Sequence, residues 1–445
     1  MIYKIKYLAA IMMVFILNGC GIYTKFTSPS VNDTSLMGED FELREESIDS
    51  LPTWREYFTD DYLVALIEEA LKNNVDLKIA GLNISQAERN LSTARMAYAP
   101  SFAIAVEGSS SRFGSVTTNS YSIPLVASWE IDLFGRLHNS KMQSKAIVEQ
   151  VKMYESAIQS QLIAAVATSY YALVLADNQL SATKQSREAM SESLDAIKSL
   201  MLIGQQTGAA VEQAEANLKA IELTVEALEQ SVKLTSNNLN LLLNRSAQEV
   251  ERNSTIVTSS LELEGSLSLA ALSSRPDVLY AEAILCQSFY GVNYARSSLY
   301  PSIGISASVG YSVGDMLLSV LGSITQPIFM ANTNRAALKN AKDQYEQSLL
   351  SFELALLTAG KEVNDAMINL EASRKQRVLN EDQNSHLSRA VEITQELMQV
   401  GRVNYLEVLT AINTYLASNL ELESVKYNEA IAKISLYKSL GGGVE

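Results

Sequence analysis

Positions 400–422 read VGRVNYLEVLTAINTYLASNLEL, and the placement of apolar residues in this stretch decides the fold. At 100° per residue, Val408, Ile412, Tyr415 and Leu422 form one apolar stripe, and Leu409, Leu416 and Leu420 form a second beside it. Together the stripes cover an arc of roughly 200°, so the helix is expected to have two neighbours. The remaining strip, Glu407, Thr410, Thr414, Ser418 and Glu421, is polar and is expected to face water. A helix flanked on two sides and wet on a third is a stave in a barrel wall. A dimeric coiled coil is the plainer alternative for so long a periodic helix.

Working outward, residues 331–440 contain no proline, and glycine only at Gly360 and Gly401. Two long helices are predicted, reversing at Val400-Gly401-Arg402. At 1.5 Å per residue the first arm is on the order of 100 Å long, more than a compact domain can bury. A similar pair is predicted upstream, from Arg136 to about Ile203 and back to about Asn244, with its tip near Gly204 and Gly208.

Each long pair follows a stretch of a different period. Leu63, Leu66, Ile67 and Ala70 keep helical spacing, and Asn73 with Asp76 reads as the capped start of a helix that runs to Ala99 and stops at Pro100. Phe102, Ile104 and Val106 then alternate with Ala103, Ala105 and Glu107, which is strand periodicity. After a Ser/Gly/Asn/Thr-rich turn over 108–120, a second strand places Ile123, Leu125, Ala127, Trp129, Ile131 and Leu133 on one face. The order recurs: Ser274-Arg275-Pro276-Asp277 marks a helix start, Tyr300-Pro301-Ser302 a stop, and Ile303, Ile305, Ala307, Val309 and Tyr311 an alternating strand. A last strand is expected to end at Pro327-Ile328-Phe329. The chain therefore reads as an internal duplication: 61–268 (strands about 101–133, hairpin about 136–244) and 269–445 (strands about 302–329, hairpin about 331–440). Residues 245–267 form a polar connector with strand-like pieces.

Four strands are too few for a closed transmembrane barrel, which needs about eight or more. Open edges in lipid would leave backbone groups unpaired, so the chain is expected to oligomerise with closed symmetry.

The leader has its own signature. Lys4 and Lys6 precede an apolar run from Tyr7 to Leu17, and Leu17-Asn18-Gly19-Cys20 resembles the lipobox of bacterial lipoproteins. Residues 1–19 are read as a signal peptide, Cys20 as the lipidated first residue of the mature chain, and 20–60 as an anchor and extended arm. The alternative is an ordinary cleaved signal peptide. Gly21 does not resemble the aspartate that retains lipoproteins at the inner membrane.

Composition excludes several classes. A formal net charge of −15, with only 19% charged residues, argues against nucleic acid as a partner. Cys286 is the only other cysteine, so a disulfide framework is excluded. His138 and His386 lack the companions a metal site needs. No nucleophile–base pair, P-loop or dinucleotide fingerprint is legible, so neither catalysis nor a cofactor is expected.

Several segments resemble the outer-membrane channels of tripartite efflux pumps, the TolC/OprM-like outer-membrane factors. They are Trp129-Glu130-Ile131-Asp132-Leu133-Phe134-Gly135-Arg136, Ser274-Arg275-Pro276-Asp277-Val278, Tyr300-Pro301-Ser302-Ile303, Gln326-Pro327-Ile328-Phe329, Val400-Gly401 through Leu409, and Leu440-Gly441-Gly442-Gly443. The resemblance implies a mainly α chain with a transmembrane β part: a homotrimer with a 12-strand β-barrel in the outer membrane, continued by a 12-helix α-barrel across the periplasm. It implies a passive duct for small molecules, a periplasmic adaptor (membrane fusion) protein and an inner-membrane transporter of the resistance-nodulation-division type. The exit duct of a one-step protein secretion system and an envelope-tethering lipoprotein are the alternatives. Trp129, Phe134, Gly135, Pro301 and Pro327 are expected to fix the strand-to-helix junctions, and Gly204, Gly208 and Gly401 the hairpin tips. At the periplasmic gate the resemblance places Leu406 at an apolar ring and Glu407 at an acidic one. Thr410 stands where an aspartate is common, and Ala210 likewise replaces an acidic residue at the first tip.

Overall fold

The computed structural model describes residues 24–29, 51–257, 272–312, 315–327 and 332–443. Cys20, the rest of the leader and Ile328-Phe329 lie outside the described residues.

Among the described residues, three helices come first: α1 (Trp54–Tyr57), α2 (Asp61–Asn73) and α3 (Val75–Met96). Strands β1 (Ser101–Ile104), β2 (Glu107–Phe113) and β3 (Val116–Ile131) lead into α4 (Arg136–Leu202) and α5 (Gly208–Leu242). The second series is α6 (Pro276–Ser297), β4 (Ser302–Ser312), β5 (Asp315–Thr325), α7 (Thr333–Gln399) and α8 (Tyr405–Ser439). The duplication is visible in lengths: α3 and α6 have 22 residues each, α4 and α7 have 67, and α5 and α8 have 35. Left-handed backbone recurs in step with it. Gly135 and Asn332 precede the long helices, Gly204 and Gly401 turn the tips, and Asn244 and Gly441 end the return helices, each pair separated by the same stretch of chain. Only glycine, or asparagine with its short polar side chain, takes that conformation cheaply.

The local readings need four corrections. Asn74, not Asn73, caps α3, its Oδ1 accepting from the N–H groups of Asp76 (2.9 Å) and Leu77 (3.2 Å). Gly208 opens α5 behind the N-cap Thr207, leaving the turn itself to Gly204 with φ +77°. The 108–120 region is not a loop. It is the body of a hairpin that turns at Gly114-Ser115, in which β2 and β3 satisfy each other's backbone groups without needing an apolar face. The first strand is split in two at Ala105-Val106 while keeping one register against β3. Ala105 N–H donates to Pro124 O at 3.0 Å, and Pro124 has no N–H to return.

Two compact units are present. One gathers Ala80–Tyr154 and Pro276–Leu356 with the described N-terminal residues; the other gathers residues up to Ile79 from Ser35, Glu155–Arg275 and Leu357–Glu445. The first contains the whole described sheet, antiparallel in the order β1-β3-β4-β5 with β2 also on β3. Among the described residues, the second has two apolar cores. One gathers Trp54, Leu63, Ile67, Ile163, Tyr170 and Leu173, and Asp60 caps α2 inside it while accepting from Tyr170 Oη at 2.7 Å. The other joins the hairpin ends through Met190, Ile197, Ala210, Leu409, Ile412 and Leu416.

In α8, Val408, Ile412 and Leu422 are buried on one stripe and Leu409 and Leu416 on the other, so both predicted flanks are occupied within one chain. That disposes of the two-helix coiled coil. Glu407, Thr410, Thr414 and Glu421 are exposed as expected, but Ser418 is buried, small enough to sit where the helices approach closely.

Candidate functional site

The site is a wall rather than a pocket. Side chains alternate across a strand, and register decides which alternating rows coincide. Leu125 pairs with Val309 and Val309 with Leu318; Trp129 pairs with Ile305; Ile131 pairs with Ile303 and Ile303 with Ile324. One face therefore carries Phe102, Ile104, Ile123, Leu125, Trp129, Tyr311, Leu318, Val320 and Ile324, most of them well exposed. The other carries Ser101, Ser122, Ser128, Ser302, Gly304, Ser306, Ser308, Ser319, Ser323 and Thr325, interrupted by Ala103, Val126 and Leu321. A sheet whose large apolar residues are exposed on one face is built for lipid there. Its hydroxyl face is built for water. The 11 residues of β4, at about 3.3 Å each and tilted by roughly 40°, match an apolar band about 25 Å tall.

At the inner end the junction residues fix chain direction. Trp129 Nε1 donates to Tyr98 O at 2.9 Å, holding the indole at the rim of the apolar face. Gly135, with φ +70°, makes the bend that a β-substituted residue would resist. Phe134 stacks on Tyr300, centroids 5.1 Å apart, so the first junction is packed against the second. Asp132 Oδ2 accepts from His138 N–H at 2.7 Å, a carboxylate at the start of α4. Arg136 clasps Glu130 with Nε (2.8 Å) and Nη2, and this bonding holds the guanidinium pKa above its ordinary value against the opposing effect of burial. Burial and the neighbouring Lys141 hold the His138 imidazole below its usual value. Pro301 immediately precedes β4; Pro327 lies just beyond β5, outside the strand as its missing N–H requires.

At the tips, Asn404 caps α8, its Oδ1 accepting from Glu407 N–H at 3.1 Å. Thr410 Oγ1 donates to Leu406 O at 2.7 Å. Leu406, Glu407 and Thr410 thus share one exposed strip, with Leu406 54% accessible. Ala210 is fully buried in the tip core, the opposite environment from an acidic ring.

Sequence reasoning missed Arg275, taken only as part of a helix start. It is 4% exposed. Nη1 donates to Ser439 O (2.8 Å) at the end of α8 and to Ala359 O (3.4 Å), and Nη2 meets Glu362 Oε2 at 2.5 Å. Asn74, in the equivalent place of the first half, donates from Nδ2 to Leu242 O at 3.1 Å. The only signal was positional: both residues immediately precede a 22-residue helix.

One α-helix among the described residues, Arg136–Leu202, is long and apolar enough to cross a membrane, but half of its most apolar window is buried in protein. The two-faced sheet is the better spanning element, and the class it defines is an outer-membrane channel. The chain belongs to the outer membrane efflux protein family, whose pattern matches residues 66–245 and 267–442. It is 30% identical over 414 residues to the cation efflux system protein CusC of Escherichia coli K12, covering 88% of each chain. It is 25% identical over 463 residues, 99% of each chain, to the probable outer membrane lipoprotein SilC of Salmonella typhimurium. Its fold superposes on the open-state outer membrane channel MtrE of Neisseria gonorrhoeae with a TM-score of 0.85, at 26% identity, covering 95% of this chain and 98% of that one. The protein is thus an outer-membrane efflux channel with a membrane-spanning β part and a helical periplasmic part.

Proposed function

We propose that this chain is one third of a passive homotrimeric duct that carries small molecules outward. In this reading a periplasmic adaptor and a resistance-nodulation-division transporter feed the duct, and Cys20 tethers it by lipid. The observation that carries this reading is the two-faced sheet with unsatisfied edges. Among the described residues, β5 and the β1/β2 line have neighbours on one side only, and three such sheets edge to edge supply twelve strand lines. Exposed apolar strips support self-association: Leu223, Leu234 and Leu241 on α5, and Leu350, Leu357 and Ile368 on α7. Cations fit as cargo, in keeping with the CusC likeness, and the exposed Glu407 at the tip would act on them. An envelope tether needs no sheet of this kind.

The deciding experiment is reconstitution of the purified protein in a planar bilayer, with its native mass measured in detergent. Discrete conductance steps from a three-chain species are expected. A protein that stays monomeric, or binds membranes without conducting, defeats the reading.

A further inference from the structure

Between its two ends the hydroxyl face of the sheet is uncharged, from the row of Pro124 to the row of Ser128; Glu107 stands in the row of Ser122 at one end and Glu130 stands at the other. There, between the strand-to-helix junctions of the first unit, lies a cavity of about 650 Å³. Glu130, Ser302 and Thr325, which end the hydroxyl face, are part of its lining, together with Ile131 from the apolar face, so it borders the inner end of the sheet. Its volume is that of a site for a drug-sized molecule. Phe134 and Tyr300 supply stacked aromatic surface, with Leu133, Pro301 and Pro327 as further apolar wall. Two carboxylates, Glu130 and Asp132, stand against one guanidinium, Arg136, which gives the lining a net negative charge.

The geometry points to a transit site for flat organic cations at this junction, Phe134 and Tyr300 meeting the ring system and Asp132 with Glu130 the positive charge. Aromatic faces and carboxylates together attract an aromatic cation, whereas Glu107, the carboxylate at the other end of the hydroxyl face, lies beyond the uncharged rows and away from the Phe134–Tyr300 pair. The inference rests on the duct reading and deepens it by naming a solute class. It also gives Phe134 a second task beside shaping the chain.

The test uses the full-length protein in planar bilayers, with ethidium on the extracellular side and fluorescein as an anionic dye of similar size. Ethidium should block the open channel at concentrations roughly tenfold below those at which fluorescein does. Asp132→Asn, whose side-chain oxygen still accepts from His138 N–H, and Tyr300→Leu should each raise the half-blocking concentration of ethidium roughly fivefold. Glu407→Gln should leave this extracellular block in place, separating the junction from the tip. Ethidium anisotropy with the detergent-solubilised protein should report saturable binding that both junction variants weaken, a readout independent of insertion. Equal block by the two dyes, or unchanged block and binding in both variants, overturns the transit site while an open pore leaves the duct reading standing. A wild-type protein that never conducts removes both.

Discussion

Gly310 lies directly across the β3–β4 pair from Pro124, so close that a Cβ on Gly310 would stand 2.5 Å from Pro124 Cα and 2.8 Å from Ile123 O. The obstacle is backbone, which no rotamer change relieves. Pro124 also costs the sheet a hydrogen bond on its other side, where the first strand divides. A proline inside a sheet is therefore accommodated by a gap in one neighbour and a missing side chain in the other.

Gly310→Ala should push β3 from β4 and lower the apparent melting temperature of the solubilised channel, at a cost of about 1–3 kcal/mol. Gly322→Ala, at a position with open space around it, is the control and should be near neutral. Thermal unfolding followed by circular dichroism compares them, and equal effects of the two would show that the contact does not matter.

Arg275→Ala removes a buried cation from Glu362 and from the last carbonyls of α8. A loss of about 1–3 kcal/mol is expected, because the carbonyls of Ser439 and Ala359 lose a buried donor, whereas Glu362 is nearly half exposed and stays hydrated. Arg275→Lys should recover little of it, because an ammonium cannot reproduce the guanidinium fork. Denaturant midpoints of the three proteins measure this, and full recovery by lysine would argue for charge alone.

Alkaline pH should loosen the helical unit. Burial holds the phenols of Tyr57, Tyr170 and Tyr171 well above their ordinary value, and that of Tyr437 moves the same way for the same reason. A raised folded pKa means the folded chain keeps protons that the unfolded chain releases. The stability is fully present below the unfolded tyrosine value of about 10 and is lost as pH rises above it. Melting temperature should be flat from neutral pH and then fall, and Tyr57→Phe should shallow that fall. A profile unchanged by the substitution would place the sensitivity elsewhere.

Glu407→Gln should lower cation over anion selectivity and weaken block by divalent or trivalent cations at the periplasmic side, with the melting temperature unchanged because Glu407 is exposed. Single-channel recordings in a salt gradient decide it. Unaltered selectivity would return Glu407 to an ordinary solvated helix face.

Mass spectrometry of the mature protein should find residues 1–19 absent and Cys20 acylated. An unmodified terminus downstream of Cys20 would end that proposal.

The long helices, the alternating strands, the duplication and the two buried stripes of α8 were legible in the chain because each depends on periodicity along it. A helix repeats every 3.6 residues and a strand every two, so Leu409 and Leu416, or Ile303 and Ile305, declare their faces without reference to distant residues. Tertiary structure alone decided what depends on two distant segments meeting. The 108–120 stretch became paired strand because β2 and β3 offered each other backbone groups, not because its side chains alternate in polarity. Ser418 was buried by close helix approach, Arg275 found its acceptors more than eighty residues away, and Gly310 met Pro124 only through register. Periodicity is a property of one segment, whereas register and burial belong to pairs of segments, and only the folded chain chooses the pairs.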